Sequence, residues 1–120
     1  MSTSGDTADI GVVVVTHRSA GTIDACLARL RAAEGVVAVR VVDNASDDET
    51  LGIVQRHAAS DPRVRFVANP DNAGFAVGCN QGAAALAEVH VAAWLAFVNP
   101  DCWVEGDSLA SVAFAEYGDP

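Results

Sequence analysis

The sequence predicts an α/β protein: a parallel, doubly wound, Rossmann-like sheet with helices on both faces, three layers in all. Three observations support this. Four short apolar runs, the first two rich in valine, alternate with segments of helical periodicity, giving the order βαβαβαβα. The connections are long enough for crossover helices, and none carries a hairpin signal. With 51% hydrophobic residues in 120, the chain can fill one core and is one domain at most.

Residues 1–9, MSTSGDTAD, are small, polar and acidic, and read as a disordered tail before a domain over residues 10–120. Ile10 to Thr16 (IGVVVVT) is β-branched without alternation, the pattern of a strand buried on both faces. Ile23, Cys26, Leu27 and Leu30 then form one apolar helical stripe. A second strand, Val36 to Asp43, leads to Ser46 and Glu49, whose S-x-x-E spacing predicts a capping box for a helix striped by Leu51, Val54 and Ala58. Val64 to Ala68 is a shorter third strand.

Beyond the turn Asn69-Pro70-Asp71-Asn72, a helix of small residues is expected to face inward through Phe75, Cys79, Gly82, Ala83 and Leu86. Gly78 and Gly82, four apart, let that helix approach the sheet closely. Trp94 to Val98 is a fourth strand, expected beside the first, with its far edge open for further strands and both tryptophans, Trp94 and Trp103, partly exposed. Asp107 predicts the cap of a last helix through Leu109, Val112 and Phe114, closed by Gly118 and Pro120.

Composition narrows the function. Seven Lys and Arg against sixteen Asp and Glu leave a formal charge of −9, which disfavours nonspecific binding to nucleic acid or anionic lipid. Any phosphate must therefore be held by local groups. The longest apolar run, Val91 to Val98, falls far short of the ~20 residues of a membrane span, and the N-terminus lacks the regions of a signal peptide. The sequence thus predicts a soluble, cytoplasmic chain without a transmembrane segment. Cys26, Cys79 and Cys102 lack metal-ligand spacing and are expected to be buried thiols.

In a parallel sheet, ligands bind beyond the carboxyl ends of the strands. Those ends read Thr16-His17-Arg18, Asp43-Asn44-Ala45-Ser46-Asp47-Asp48, Asn69-Pro70-Asp71-Asn72 and Asn99-Pro100-Asp101. Ser46, Asp47, Asp48 and Glu49 are explained by a helix start, where carboxylates favour the positive end of the dipole. Capping leaves Asp43 and Asn44 unexplained, and an Asp at this place can accept hydrogen bonds from a nucleotide's base or ribose. His17 and Arg18 are either ordinary loop residues or a base-stacking ring and a phosphate-binding cation.

Two common nucleotide sites are excluded: the first turn, THRSAGT, has one glycine where G-x-G-x-x-G is needed, and no G-x-x-x-x-G-K-[ST] occurs. A phosphorylated receiver domain fits poorly, because the first strand ends in Thr-His-Arg and not in acidic residues.

The blocks VVVVTHRSA, VRVVDNASDDET, NPDNAGFAVGCNQG and LAFVNPDCWVEGDSL, in this order and at these intervals, resemble the family 2 glycosyltransferases of the GT-A fold, and among them the bacterial rhamnosyltransferase-like members. The resemblance runs from about Ile10 to Phe114. It implies that Thr16 meets the base through its backbone, that His17 stands where an aromatic is common, with Arg18 after it, and that Asp43 reads a pyrimidine base beside Asn44. His17-Arg18 departs from the commoner Tyr-Asn. Asn72 and Asn80 are implied as donor-side polar groups, the glycines near them serving packing.

In the last block the family carries D-x-D or a reduced form whose final Asp holds a divalent metal, Mg²⁺ or Mn²⁺, on the donor diphosphate. Here Asn99 replaces the first Asp, leaving Asp101 as the implied metal ligand. Taken alone, Asn99-Pro100-Asp101 is also simply a turn closing a strand.

The implied activity is glycosyl transfer from a nucleoside-diphosphate sugar, UDP- or dTDP-linked, to a hydroxyl of a glycan or lipid-linked acceptor, with inversion, in cell-envelope or polysaccharide synthesis. The general base of that reaction belongs to an acceptor-side half, and no residue before Pro120 matches it. The chain is therefore expected to be a donor-binding half completed by a downstream half or a second chain. The alternatives are a non-catalytic nucleotide-sugar-binding module and a relic of the fold that binds nothing.

Overall fold

The computed structural model describes residues 9–89, 94–102 and 106. Seven elements follow in the order β1 (Ile10–Thr16), α1 (Ile23–Ala32), β2 (Val36–Asn44), α2 (Thr50–Ser60), β3 (Val64–Asn69), α3 (Phe75–Val89) and β4 (Trp94–Phe97). All strand pairs are parallel, in the order β3-β2-β1-β4. Crossover connections on both sides of β1 make the sheet doubly wound. β4 lies beside β1, as its apolar run predicted, and Val98 N extends the pairing by donating to Val13 O at 3.0 Å. The helix expected from Asp107, together with Trp103, falls outside the described residues.

Period-two alternation assigns each strand residue to a face. Val12, Val14, Val39 and Val41 pack under α1 and α2 with Ile23, Leu27, Leu30, Ile53 and Val54, forming the larger core. Val13, Val15 and Ala38 form the other face with Leu86 of α3. That layer is thin because α3 meets the sheet through glycine. A Cβ on Gly82 would stand 2.4 Å from Val13 Cγ1, and one on Gly78 would stand 2.8 Å from Val15 Cγ1. On β4, Trp94 and Ala96 pack against the larger core, while Leu95 and Phe97 point to the α3 side and are exposed.

Several local expectations are corrected. The inner face of α3 runs through Gly78, Gly82 and Leu86; Phe75 is exposed, because only the glycine side lets the helix come this close. In α2 the buried residues are Thr50, Ile53, Val54 and His57; Ala58 packs half-buried against the larger core, and Leu51 is half-buried. Only Cys26 is a buried thiol; Cys79 is half-buried and Cys102 exposed.

What draws His57 inward is a polar network at the end of the sheet opposite the site. The His57 ring lies 2.7 Å from Asp24 Oδ1 through Nε2 and 3.0 Å from Arg31 Nη1 through Nδ1. Arginine can only donate, so Nδ1 accepts and Nε2 carries the proton. Asp61 takes Arg63 Nη2 at 2.7 Å and Arg31 Nε at 3.3 Å. Hydrogen bonding from Arg63 holds the Asp61 carboxyl far below the usual carboxylate range.

A depressed folded-state value means that this contact stabilises the fold above the unfolded carboxyl value near 4 and is lost as pH falls. Asp61→Asn should therefore lower the thermal midpoint at pH 7, and the gap from the parent should close steadily as pH drops from about 5 to about 2. Melting curves that remain parallel across that range would count against this linkage.

Candidate functional site

The carboxyl ends of β1 and β2 bring Thr16 and Asp43 side by side in register, both on the α1/α2 side of the sheet. Both are fully buried. Thr16 Oγ1 donates to Asp43 Oδ1 at 2.7 Å, Ser46 Oγ donates to the same oxygen at 2.6 Å, and Ser46 N donates to Oδ2 at 3.1 Å. Hydroxyl-to-carboxylate bonds this short are among the stronger ones in proteins, and they fix the carboxylate in one orientation. The expected capping box is thereby corrected. Ser46 faces back to Asp43, and the start of α2 is met instead by Asp48, whose Oδ1 accepts Thr50 N at 3.0 Å.

His17 and Arg18 follow Thr16 at the exposed rim. The His17 ring approaches the backbone carbonyl of Asn44 at 2.6 Å through Nδ1, which must donate to it. The Arg18 guanidinium holds both oxygens of Asp47, Nε to Oδ1 at 2.9 Å and Nη2 to Oδ2 at 3.0 Å, in an exposed pair. A phosphate reaching Arg18 therefore competes with Asp47. Arg18 and Ala45 have φ of 51° and 57°, a left-handed conformation that costs a non-glycine residue about 1–2 kcal/mol. Arg18 is held there by its N–H on Ser46 Oγ at 2.8 Å.

One residue beyond Asp43 the alternation reverses, and Asn44 points to the α3 side. It is buried, and its amide donates to Gly74 O at 3.1 Å. Asn69, its neighbour in register on β3, donates to Asn44 Oδ1 at 2.8 Å and pairs with Gln81 of α3. Asn72 is exposed, and its Oδ1 accepts Gly74 N at 3.0 Å; Asn80 is exposed on α3.

Asp101 lies in the turn after β4, on the opposite side of β1 from Asp43, and is exposed. The turn closes with Cys102 N donating to Asn99 O at 2.9 Å, and the same oxygen takes the Cys26 thiol at 3.8 Å. Burial, with Cys102 and the Asp101 charge nearby, pushes the Cys26 thiol up to about 11. Among the described residues no group of three or more His, Cys, Asp and Glu could hold a metal ion. One accessible carboxylate fits a hard divalent cation that takes its remaining oxygens from a substrate and water.

Thr16, His17, Arg18, Asp43 and Asn44 thus converge on one edge, and Asn72 joins them through Gly74, while Asn80 lies exposed on α3 and Asp101 in the turn after β4. Sequence reasoning placed Asn69 at the carboxyl edge and Gln81 in the block beside it, but missed Ser46 as the partner of Asp43 and the pairing of Asn69 with Gln81. A signal for Gln81 existed, since it lies three residues after Gly78 and beside Gly82 on the face the glycines mark.

Comparisons with known proteins bear on the fold and the family of the chain. The mannosyltransferase PcManGT from Pyrobaculum calidifontis, solved in complex with GDP-Man and Mn2+, superposes with a TM-score of 0.75 at 26% identity over 89% of this chain and 32% of its own. TarS from S. aureus superposes at 0.69 with 22% identity over 92% of this chain and 20% of its own, a likeness of fold. Its residues 1–349 give 0.71 at 22%, over 92% and 33%. The chain therefore spans a third or less of each of these proteins. No curated protein matches it in sequence. The family model described as Glycosyl transferase family 2 matches residues 11–115, and the chain belongs to that family.

Proposed function

We propose that the chain is the donor-binding half of a metal-assisted glycosyltransferase, and that the edge formed by Thr16, His17, Asp43 and Asn44 receives the nucleoside of a nucleoside-diphosphate sugar. The observation that carries this reading is the buried Asp43 carboxylate, locked by Thr16 and Ser46 at the carboxyl edge of a family 2 chain. Asp43 serves as the acceptor for a base N–H, with a UDP- or dTDP-sugar as the favoured donor. His17 closes the rim, Arg18 reaches the phosphates by leaving Asp47, and Asn72 and Asn80 line the donor side.

The relative bound to GDP-Man and Mn2+ supports both a nucleotide sugar and a divalent cation in this role. Asp101 would hold that cation, Mg²⁺ or Mn²⁺, and the cation supplies positive charge against the leaving diphosphate. This matters in a chain of formal charge −9, which by itself repels the donor. Transfer with inversion to a hydroxyl of a glycan or lipid-linked acceptor, in envelope or polysaccharide synthesis, completes the proposal. The base that takes the hydroxyl proton is assigned to the acceptor-side half.

Calorimetric titration of residues 1–120 with UDP, dTDP and GDP, each with Mn²⁺ and with EDTA, tests the reading. Binding should strengthen with Mn²⁺, and Asp101→Ala should remove that increment alone, about tenfold or more in affinity. Equal affinity of Asp101→Ala and the parent in Mn²⁺ would remove Asp101 from the metal role. No binding of any of the three nucleotides would leave the donor-half proposal without support.

A further inference from the structure

We infer that Asn44, Asn69 and Gln81 form a positioning network that sets the turn at Asn72–Gly74 and the start of α3 against the nucleotide edge, an inference that rests on the proposed donor site. The polarity of the network follows from one backbone atom. Gly74 O can only accept, so the Asn44 group facing it at 3.1 Å is its NH₂. Asn44 Oδ1 then faces β3 and accepts from Asn69 Nδ2 at 2.8 Å. The same NH₂ of Asn69 also donates to Gln81 Oε1 at 2.7 Å, and Gln81 Nε2 returns a bond to Asn69 Oδ1 at 3.0 Å. Every amide orientation is thus dictated by the one before it.

Three otherwise separate pieces meet at Asn44. Its own carbonyl takes the His17 ring at 2.6 Å, its NH₂ takes Gly74 O, and its Oδ1 takes β3 through Asn69. Gly74 O also accepts Gly78 N at 3.1 Å, the first intrahelical bond of α3, so Asn44 grips the helix at its entry. Gly78 makes the approach possible, because a Cβ there would meet Val15 and come within 3.5 Å of Asn44 Nδ2. Asn44 therefore acts on the nucleotide through its neighbours: its amide is buried and bonded at both nitrogen and oxygen, and what it offers the site is the placement of His17 on one side and of Asn72 on the other. A simple link between helix and sheet would need only the Asn69–Gln81 pair. The extension through Asn44 to Gly74 ties that pair to the rim.

Two measurements on residues 1–120 decide it. Gln81→Met removes both bonds to Asn69 while keeping side-chain length. Amide exchange without nucleotide should speed up about tenfold at Gly74 and Gly78, leaving Val12 and Val14 of β1 unchanged. The nucleotide affinity of the folded protein should fall about tenfold with EDTA as well as with Mn²⁺. Gln81→Glu, which keeps the acceptor for Asn69, should lie between parent and Gln81→Met. Asn69→Ala, which also removes the bond to Asn44, should cost more than Gln81→Met, and the two combined should cost no more than Asn69→Ala alone.

Exchange that accelerates equally in β1 would reduce the network to a contribution to overall stability, overturning the inference. So would local exchange changes with undiminished affinity in a chain whose parent binds nucleotide. If the parent binds none, the donor-site reading fails by that result, and the exchange profile still decides whether the three amides set the turn.

Discussion

Gly82→Ala should destabilise the fold by about 2–3 kcal/mol, although alanine is the better helix former by about 1 kcal/mol. The new Cβ would stand 2.4 Å from Val13 Cγ1, 3.0 Å from its Cγ2 and 3.2 Å from its Cβ. Valine is stiff about χ1, so no rotation clears all three contacts. Val13 is fully buried in the middle of β1, between β2 and β4, and cannot yield. The helix must therefore back away by about an ångström, which opens gaps along the layer it shares with Val15, Ala38 and Leu86.

Val13→Ala alone should cost about 1–3 kcal/mol through the space it leaves, yet the double variant should be more stable than the sum of the two predicts, because the new methyl fills that space. Denaturant unfolding of the four proteins measures the coupling. Strict additivity, or a Gly82→Ala chain as stable as the parent, would mean that α3 does not rest on Val13.

The same close approach shows where reading the sequence succeeds and where it stops. Strand identity was legible because valine runs without alternation are rare outside a sheet covered on both faces, and the place of β4 beside β1 followed from its apolar character. The stripe of α1 was legible for a related reason: Ile23, Cys26, Leu27 and Leu30 are its buried residues, with no polar competitor at those positions. In α2 the stripe through Val54 and Ala58 was legible, but His57 was not, because it is polar in isolation and is buried only where Asp24 and Arg31 satisfy both ring nitrogens.

At the site, Asp43 stood out as a carboxylate that capping did not explain. Its partners did not. Ser46 has a plausible local role three residues before Glu49, while Thr16 is 27 residues away and meets Asp43 only through strand register. The Asn69–Gln81 pair was invisible for the same reason, since nothing in local periodicity links the end of a strand to the second turn of the following helix.

Asp43→Ala should have the largest effect on the site, abolishing measurable nucleotide binding and lowering stability by about 2–4 kcal/mol. The loss has two parts. The buried hydroxyl of Thr16 and both donors of Ser46 are left without their acceptor, and unpaired buried donors cost more than the net worth of the bonds they made. Ser46 Oγ also holds Arg18 in its left-handed conformation, so the rim relaxes once Ser46 is released.

Asp43→Asn separates these effects. It keeps the volume and one acceptor oxygen for Thr16 and Ser46 Oγ, but it sets an NH₂ against Ser46 N–H and removes the charge that strengthens a bond to a base. Its thermal midpoint should lie between those of the parent and Asp43→Ala, and its affinity for the preferred nucleotide should fall about tenfold to a hundredfold, equally with Mn²⁺ and with EDTA. Metal independence is the discriminating feature, because Asp101 stands beyond β1 from this carboxylate and any loss there should follow the cation. Unchanged affinity in Asp43→Asn, with a lowered midpoint, would make Asp43 a structural anchor for the two strand ends and move the nucleoside off this edge.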